Sequence, residues 1–242
     1  MTQFPDLHDR IPVGVVVPPS NPVVEPELAA LLGSAVVCYG NRLPRFADFD
    51  LKQRNRLYVR SYPEALDSLA GLSLQAALIA MTGPQYAYGV AGDRQLCDDL
   101  SARFGAPVAT ASMAIHDALT AMGHTTIRLL SPYPQWLTER AAAYWSDAGF
   151  EVADVHQDFI TGEAFRAYET TSEEVTEVLR TVPPGPPVVL TGTGLATLRS
   201  LHLAGQQTPV LSSNLCGAWW LLRQLGLPGS DLFRSVAQAL PI

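Results

Sequence analysis

Residues 13–27 read VGVVVPPSNPVVEPE, and the fold turns on how this stretch is read. Val15, Val16 and Val17 are β-branched and follow Gly14, so they predict a buried strand rather than a helix. Pro18 and Pro19 end that strand, because proline cannot donate to a strand ladder. Ser20 and Asn21 are small polar loop residues, and Pro22 suits a first helical turn, where its missing N–H would go unpaired anyway. Glu25 and Glu27 then fall where the helix dipole favours negative charge. The order is strand, short polar loop, helix. In an open parallel α/β sheet, ligands bind at such loops, at the carboxyl ends of the strands.

The same order recurs along the chain. Further strands are predicted at 35–39, 76–81 and 107–109, and helices at 61–72, 93–104 and 113–122. Residues 42–60 read as polar and irregular, with Arg42, Arg45 and the cluster Lys52, Arg54 and Arg56 solvated. From Thr125 the sequence starts again, with strands at 127–130, 150–155, 188–190 and 209–211. Helices follow at 135–148, 172–180 with Ser172 as N-cap, 195–203, 216–225 and 231–239, and 161–168 is loop or short helix. Three landmarks repeat in order: VVVPPSNP with LLSPYPQ, LIAMTGP with VVLTGTG, and GAPVATAS with QTPVLSSN. The expectation is an α/β protein of two pseudo-twofold lobes, each a roughly four-stranded parallel sheet flanked by helices. Residues 11–122 form the first lobe, with 216–242 packing back on it, and 123–215 form the second. Right-handed crossovers put each lobe's strand-end loops on one edge, so the two edges can face each other across a cleft.

Composition bounds the function. With 242 residues and 48% hydrophobic content, the chain has ample material for a core. A net charge of −7 argues against nucleic acid and anionic membranes as partners. No apolar run is long enough to span a bilayer, and MTQFPDLHDR has neither the basic start nor the apolar stretch of a secretory leader. Cys38, Cys97 and Cys216 are odd in number and far apart, which suits reduced thiols in a cytoplasm. No His/Cys cluster has metal-ligand spacing and no Gly-rich nucleotide loop follows a strand, so neither a metal nor a cofactor is expected.

The predicted strand-end loops contain Ser20, Asn21, Thr82, Gly83, Ser112, Tyr133, Thr191, Gly192, Thr193, Gly194, Ser213 and Asn214. Small hydroxyls, amides and glycines offer short donors and open backbone N–H groups, which suits a carboxylate or an oxyanion. No arginine stands among them. With PPSNPVVEPE, with SPY followed by TER seven residues on from Ser131, and with PVLSSN before an aromatic-rich helix, the chain resembles the aspartate/glutamate racemase superfamily. The branches it is most similar to are maleate cis-trans isomerase and arylmalonate decarboxylase, and the resemblance covers nearly the whole chain. It implies two α/β lobes and cofactor-free chemistry beside a carboxylate, through an enediolate-like intermediate. It also implies that Asn21 and Tyr133 hold the substrate carboxylate, with Thr82, Gly83 and the backbone at Thr193 as further donors. Ser20, Asn21, Gly83, Gly192, Thr193 and Asn214 are therefore the expected binding residues, and Tyr133 and Thr82 the expected catalytic ones.

One departure from the family matters as much as the match. Its racemases and isomerases carry a cysteine on the strand-end loop of each half, and the decarboxylase branch keeps only the second. Here the first position falls at Met81 or Thr82 and the second at Gly192. A thiol-based racemase or isomerase is thus unsupported. The expected function is a cofactor-independent lyase or isomerase of a small carboxylate, most concretely a malonate-type decarboxylase without the usual cysteine. The alternatives are a carboxylate-binding protein that has lost catalysis, or an isomerase or racemase with a non-thiol acid or base. Other candidates read as structural: Cys216 as a small buried residue beneath Trp219 and Trp220, His116 as solvated, Tyr86 and Tyr88 as packing, and Glu163 as a surface carboxylate near the site. Homo-oligomerisation is left open.

Overall fold

The structure is a computed structural model that describes residues 9–157, 168–204, 208–237 and 240–241. The valine run forms strand β1 (Ile11–Val17), and helix α1 (Val24–Leu32) follows the Pro18–Asn21 loop. The first half continues through β2 (Val36–Arg42), α2 (Leu51–Asp67), β3 (Ala77–Ile79), a single 3-10 turn at Gln85–Ala87, α3 (Gly89–Phe104), β4 (Val108–Thr110) and α4 (Ala111–Ala121). The second half runs β5 (Thr126–Leu130), α5 (Gln135–Asp147), β6 (Glu151–His156), α6 (Ser172–Thr181), β7 (Val188–Leu190), α7 (Leu198–Ala204), β8 (Val210–Ser212), α8 (Ser213–Leu225) and α9 (Asp231–Val236). Two four-stranded parallel sheets result, ordered β2-β1-β3-β4 and β6-β5-β7-β8. The orders are the same because the repeat is the same. The central strands β1, β3, β5 and β7 are mostly or wholly buried, as expected of parallel strands covered on both faces.

Helix starts differ most from the sequence expectation: α3 begins at Gly89 and α8 at Ser213, four and three residues before the expected starts, and α2 and α6 depart as well. The stretch taken as irregular up to Arg60 is the first half of α2. Asp50 caps it: the Asp50 carboxylate accepts from the Gln53 N–H at 2.8 Å and the Gln53 side chain accepts from the Asp50 N–H at 3.2 Å. Its buried side chains Asn55, Tyr58, Tyr62, Ala65 and Leu66 do recur at helical spacing, but two tyrosines and an asparagine among arginines hide the stripe. The α6 N-cap is Thr171, one residue earlier than expected, because Thr171 and Glu174 form the capping box.

Helices α4 and α8 pack on each other, and α8 also reaches β3 of the first sheet. A Cβ at Gly217 would lie 2.6 Å from Leu78 Cδ2, so this crossing needs a residue without a side chain. Cys216 lies inside α8 and is fully buried, as a packing residue would be.

Candidate active site

The β1–α1 loop is shaped by its own polar groups. Asn21 Oδ1 accepts from the Val23 and Val24 N–H groups at 2.8 and 3.2 Å, which fixes the side chain and turns Nδ2 outward. Arg42, at the end of β2, donates to the carbonyls of Pro18, Pro19 and Asn21 at 3.4, 3.3 and 3.0 Å and pairs with Glu25. Arg42 is exposed, as the sequence suggested, and it also clamps this loop. The β5–α5 loop is held in the equivalent way. Ser131 and Thr138 hydroxyls meet at 2.7 Å, Thr138 donates to the Tyr133 carbonyl at 3.1 Å, and Gln157, at the end of β6, donates to the same carbonyl at 3.0 Å. That network is the physical content of the Ser131…Thr138 spacing.

Each of these loops then reaches across to a strand-end threonine of the other lobe. Asn21 Nδ2 donates to Thr193 Oγ1 at 3.1 Å, and Thr193 Oγ1 donates to the Ala80 carbonyl at 2.9 Å. The Tyr133 and Thr82 hydroxyls meet at 2.6 Å, and the Gly83 N–H donates to the phenol oxygen. Beside these crossed pairs lies a cavity of about 300 Å³. Seven of the eight expected residues line it: Ser20, Asn21, Thr82, Gly83, Tyr133, Gly192 and Thr193. That volume fits a small ligand.

The eighth does not. Asn214 is buried behind the cavity, where Nδ2 donates to Glu27 Oε2 at 2.8 Å and to the Thr193 carbonyl at 3.1 Å. The physical reason is that α8 starts at Ser213, so Asn214 belongs to its first turn and faces α1. Ser112 and Ser213 are also helical; they hydrogen-bond the carbonyls of Thr82 and Leu190 at 3.4 and 3.1 Å and stay outside the lining. Glu163 lies outside the described residues, as does most of 161–168. His116 is partly buried, edge-on to Phe150, with Nδ1 3.1 Å from Asp117. Tyr86 packs between Tyr133 and Tyr144, and Tyr88 is exposed.

Sequence reasoning missed one wall. Arg45, Phe46, Leu51, Arg54, Asn55 and Tyr58 of the β2–α2 segment line the cavity, so it is not free of arginine. Lys52 Nζ lies 5.0 Å from the centroid of the Trp136 ring, a cation–π contact between α2 and α5 across the cleft. The periodicity Leu51, Asn55, Tyr58, Tyr62 was the signal that could have found this wall.

The titratable chemistry of the lining is narrow. Among the described residues it holds tyrosines and arginines, but no cysteine, histidine or carboxylate. Burial pushes the Tyr133 phenol up to about 12, against the pull of Thr82 and the Gly83 N–H, so it stays protonated at neutral pH. The thiols are elsewhere, and burial raises all three, to about 11 for Cys38 and about 12 for Cys97. Gly192 has φ +89°, and a Cβ there would lie 3.2 Å from both Pro132 Cγ and the Tyr133 phenol oxygen. A cysteine at this position would be strained and would press on Tyr133. Among the described residues no group of acidic, histidine or cysteine side chains is arranged to hold a metal.

The chain belongs to the arylmalonate decarboxylase family, whose sequence profile matches residues 13–233. Among individual proteins, it is 28% identical over 159 residues to a maleate isomerase of Geobacillus stearothermophilus. That match spans 61% of this chain and 62% of the relative's length. The crystal structure of the maleate isomerase Iso from Pseudomonas putida S16 superposes with a TM-score of 0.83 at 19% identity, covering 93% of this chain and 99% of that one. A variant of the Nocardia farcinica maleate cis-trans isomerase, with a covalently bound succinylcysteine intermediate, gives 0.81 at 21% identity over 93% and 98%. At these identities the structures establish a shared fold.

Proposed function

We propose that the protein is a cofactor-independent enzyme acting on a small carboxylate, and that its reaction is decarboxylation of a malonate-type acid. The carrying observation is the crossed donor set, Asn21–Thr193 and Tyr133–Thr82, beside a cavity whose described lining has no thiol, imidazole or carboxylate. Neutral donors fixed from two lobes suit a developing enediolate, because they need no reorganisation as charge appears. One carboxylate accepts from Asn21, Ser20, Tyr133 and Thr82, with Gly83, Gly192 and Thr193 supplying backbone donors. The bond from the α-carbon to the second carboxyl breaks and CO2 leaves. The electron pair delocalises into the retained carboxylate. The α-carbon then takes a proton from the Tyr133 phenol or from water, and a phenolate so formed recovers its proton from water. One well-placed oxyanion donor is worth about 3–4 kcal/mol to the transition state.

The related isomerase with a succinylcysteine intermediate works through a thiol, and the described lining here offers none. A covalent isomerase route therefore has no nucleophile in the described lining, whereas decarboxylation needs none to break its bond, and the proton that the decarboxylase branch's cysteine would give falls here to Tyr133 or water. We further assign residues 11–122 and the returning 216–242 to one lobe and 123–215 to the other; the seating of Gly217 on Leu78 supports that division. No helix of the described residues is long and apolar enough to cross a membrane. A cytoplasmic setting agrees with the three unpaired cysteines.

The test is turnover of phenylmalonate, methylmalonate and maleate, before and after treatment with iodoacetamide. CO2 release from a malonate, unaffected by alkylation, is the expected result. Conversion of maleate to fumarate that alkylation abolishes, with no CO2 from any malonate, overturns the proposal. Asn21→Ala and Tyr133→Phe should each weaken binding of an inert small carboxylate by about 1.5–3 kcal/mol, read by calorimetry.

A further inference from the structure

The cavity is polar at both ends and the two ends differ in charge. Its deep end is neutral, formed by Asn21, Thr82 and Thr193, each no more than 5% exposed. Its other end carries Arg54, half-buried on α2, and Arg45, exposed in the loop before it. Phe46, Leu51 and Tyr58 line the same wall as the two arginines and give it an apolar surface. Arg54 Nε is buried with no hydrogen-bond partner, and neither arginine has a carboxylate within pairing distance among the described residues. Arg42, on the same segment, is fully engaged by Glu25 and three carbonyls. A buried, unpartnered guanidinium N–H is costly to hold unless something else binds it. Its fork geometry suits a carboxylate or a phosphate.

We infer that the substrate carries a second anionic group on its substituent, held apart from the reacting carboxyl by a short apolar spacer, and that Arg54, with Arg45, selects it. The inference rests on the carboxylate reading of the deep end. It refines that reading: the substituent ends in a negative charge instead of a plain apolar group. The local positive potential at the mouth also opposes the chain's net charge of −7, which would otherwise repel such a molecule. Lys52 on Trp136 holds α2 over the cleft, so the guanidinium is presented from a helix instead of a free loop.

The experiment is calorimetric binding of inert acids to the full chain: butanoate and hexanoate against succinate, glutarate and adipate. One of the diacids should bind at least about tenfold tighter than the monoacid of like length, as a charge-assisted pair warrants. Arg54→Met should erase that preference and leave monoacid affinity within about twofold, and Arg45→Met, at an exposed loop position, should reduce it. Arg54→Lys should keep part of it. Melting curves establish that each variant is folded; should Arg54→Met not fold, the Arg45→Met and Arg54→Lys arms decide. If monoacids bind and no diacid gains, the carboxylate reading stands and this inference falls. If Arg54→Met weakens both classes equally, Arg54 serves the first carboxylate and the inference also falls. If no acid of either kind binds, both fall.

Discussion

Glu27, on one side of the cleft, and Asp93, on the other, are both buried carboxyls that bridge the lobes, but their partners differ in kind. Glu27 on α1 accepts from the Thr197 N–H at 2.5 Å, the Leu198 N–H at 3.0 Å and Asn214 Nδ2 at 2.8 Å, with the Thr197 hydroxyl 3.2 Å away. Three of these are N–H groups that can only donate, and two of the three open helix α7. Asp93 on α3 accepts from the Thr110 hydroxyl at 2.9 Å and the Tyr144 hydroxyl at 2.9 Å. Hydroxyls accept as well as donate, so this seam tolerates a protonated carboxyl. Burial pushes Asp93 up to about 7, and it raises Glu27 as well, where the N–H donors oppose the rise. The lesson is that one bridging role can be filled by a carboxyl set against N–H donors in one seam and by a titrating acid set against hydroxyls in the other. The kind of donor decides which.

The largest expected effect is at Glu27. Glu27→Ala strands the Thr197 and Leu198 N–H groups and the Asn214 amide in a buried seam. It should cost about 3–5 kcal/mol at neutral pH, read by denaturant unfolding. Asn214→Ala should lose less, because the two backbone donors remain. Equal losses would mean that the asparagine, and not the α7 N-terminus, is the anchor.

Asp93→Asn sharpens the contrast. A carboxyl whose pKa is about 7 folded and near 3.8 otherwise binds its proton more readily in the folded state. Wild-type stability should therefore fall as pH rises from 4 to 7, by roughly 2–4 kcal/mol from this group. The asparagine variant should flatten that slope and should be more stable than wild type above pH 7. A parallel pH profile in the two proteins would show that Asp93 does not titrate in this range.

How much of this was legible from sequence depends on where the information lay. The valine run, the SPY motif and the order of landmarks report periodicity and turn chemistry, which are local, so both sheets and the main cavity residues could be read. The seams could not. Glu27 reads as a first-turn acid favoured by the dipole, and its burial follows only from α7 arriving 170 residues later. Asn214 was misread for the same reason: its loop-like neighbours hid that α8 begins at Ser213, three residues before the expected start. Arg54 was dismissed as solvated because a polar-faced helix carries a weak stripe, and only the placement of α2 over the cleft makes it part of the site.

The smallest effects should come from the thiols, which belong to the seams and the sheet instead of the cavity. Cys97 lies one turn on from Asp93 along α3 and feels its charge; Cys216 follows Asn214 by two residues and points into packing. Cys38 is on β2, which pairs with β1 away from the lining. A thiolate is the reactive form, and burial raises all three thiols away from it. Cys38→Ser and Cys97→Ser should leave turnover unchanged. Cys216→Ala should leave kcat within about threefold while lowering stability by about 1 kcal/mol through the space it vacates. Because α8 carries both Cys216 and Asn214, the loss should show in unfolding and not in the pH profile that Asp93 governs. The decisive measurement is kcat of Cys216→Ala on the true substrate with the melting temperature recorded beside it. A hundredfold fall in kcat with folding intact would place a thiol in the chemistry, and the decarboxylase reading built on Tyr133 and the crossed donors would have to give way to a thiol mechanism working through α8.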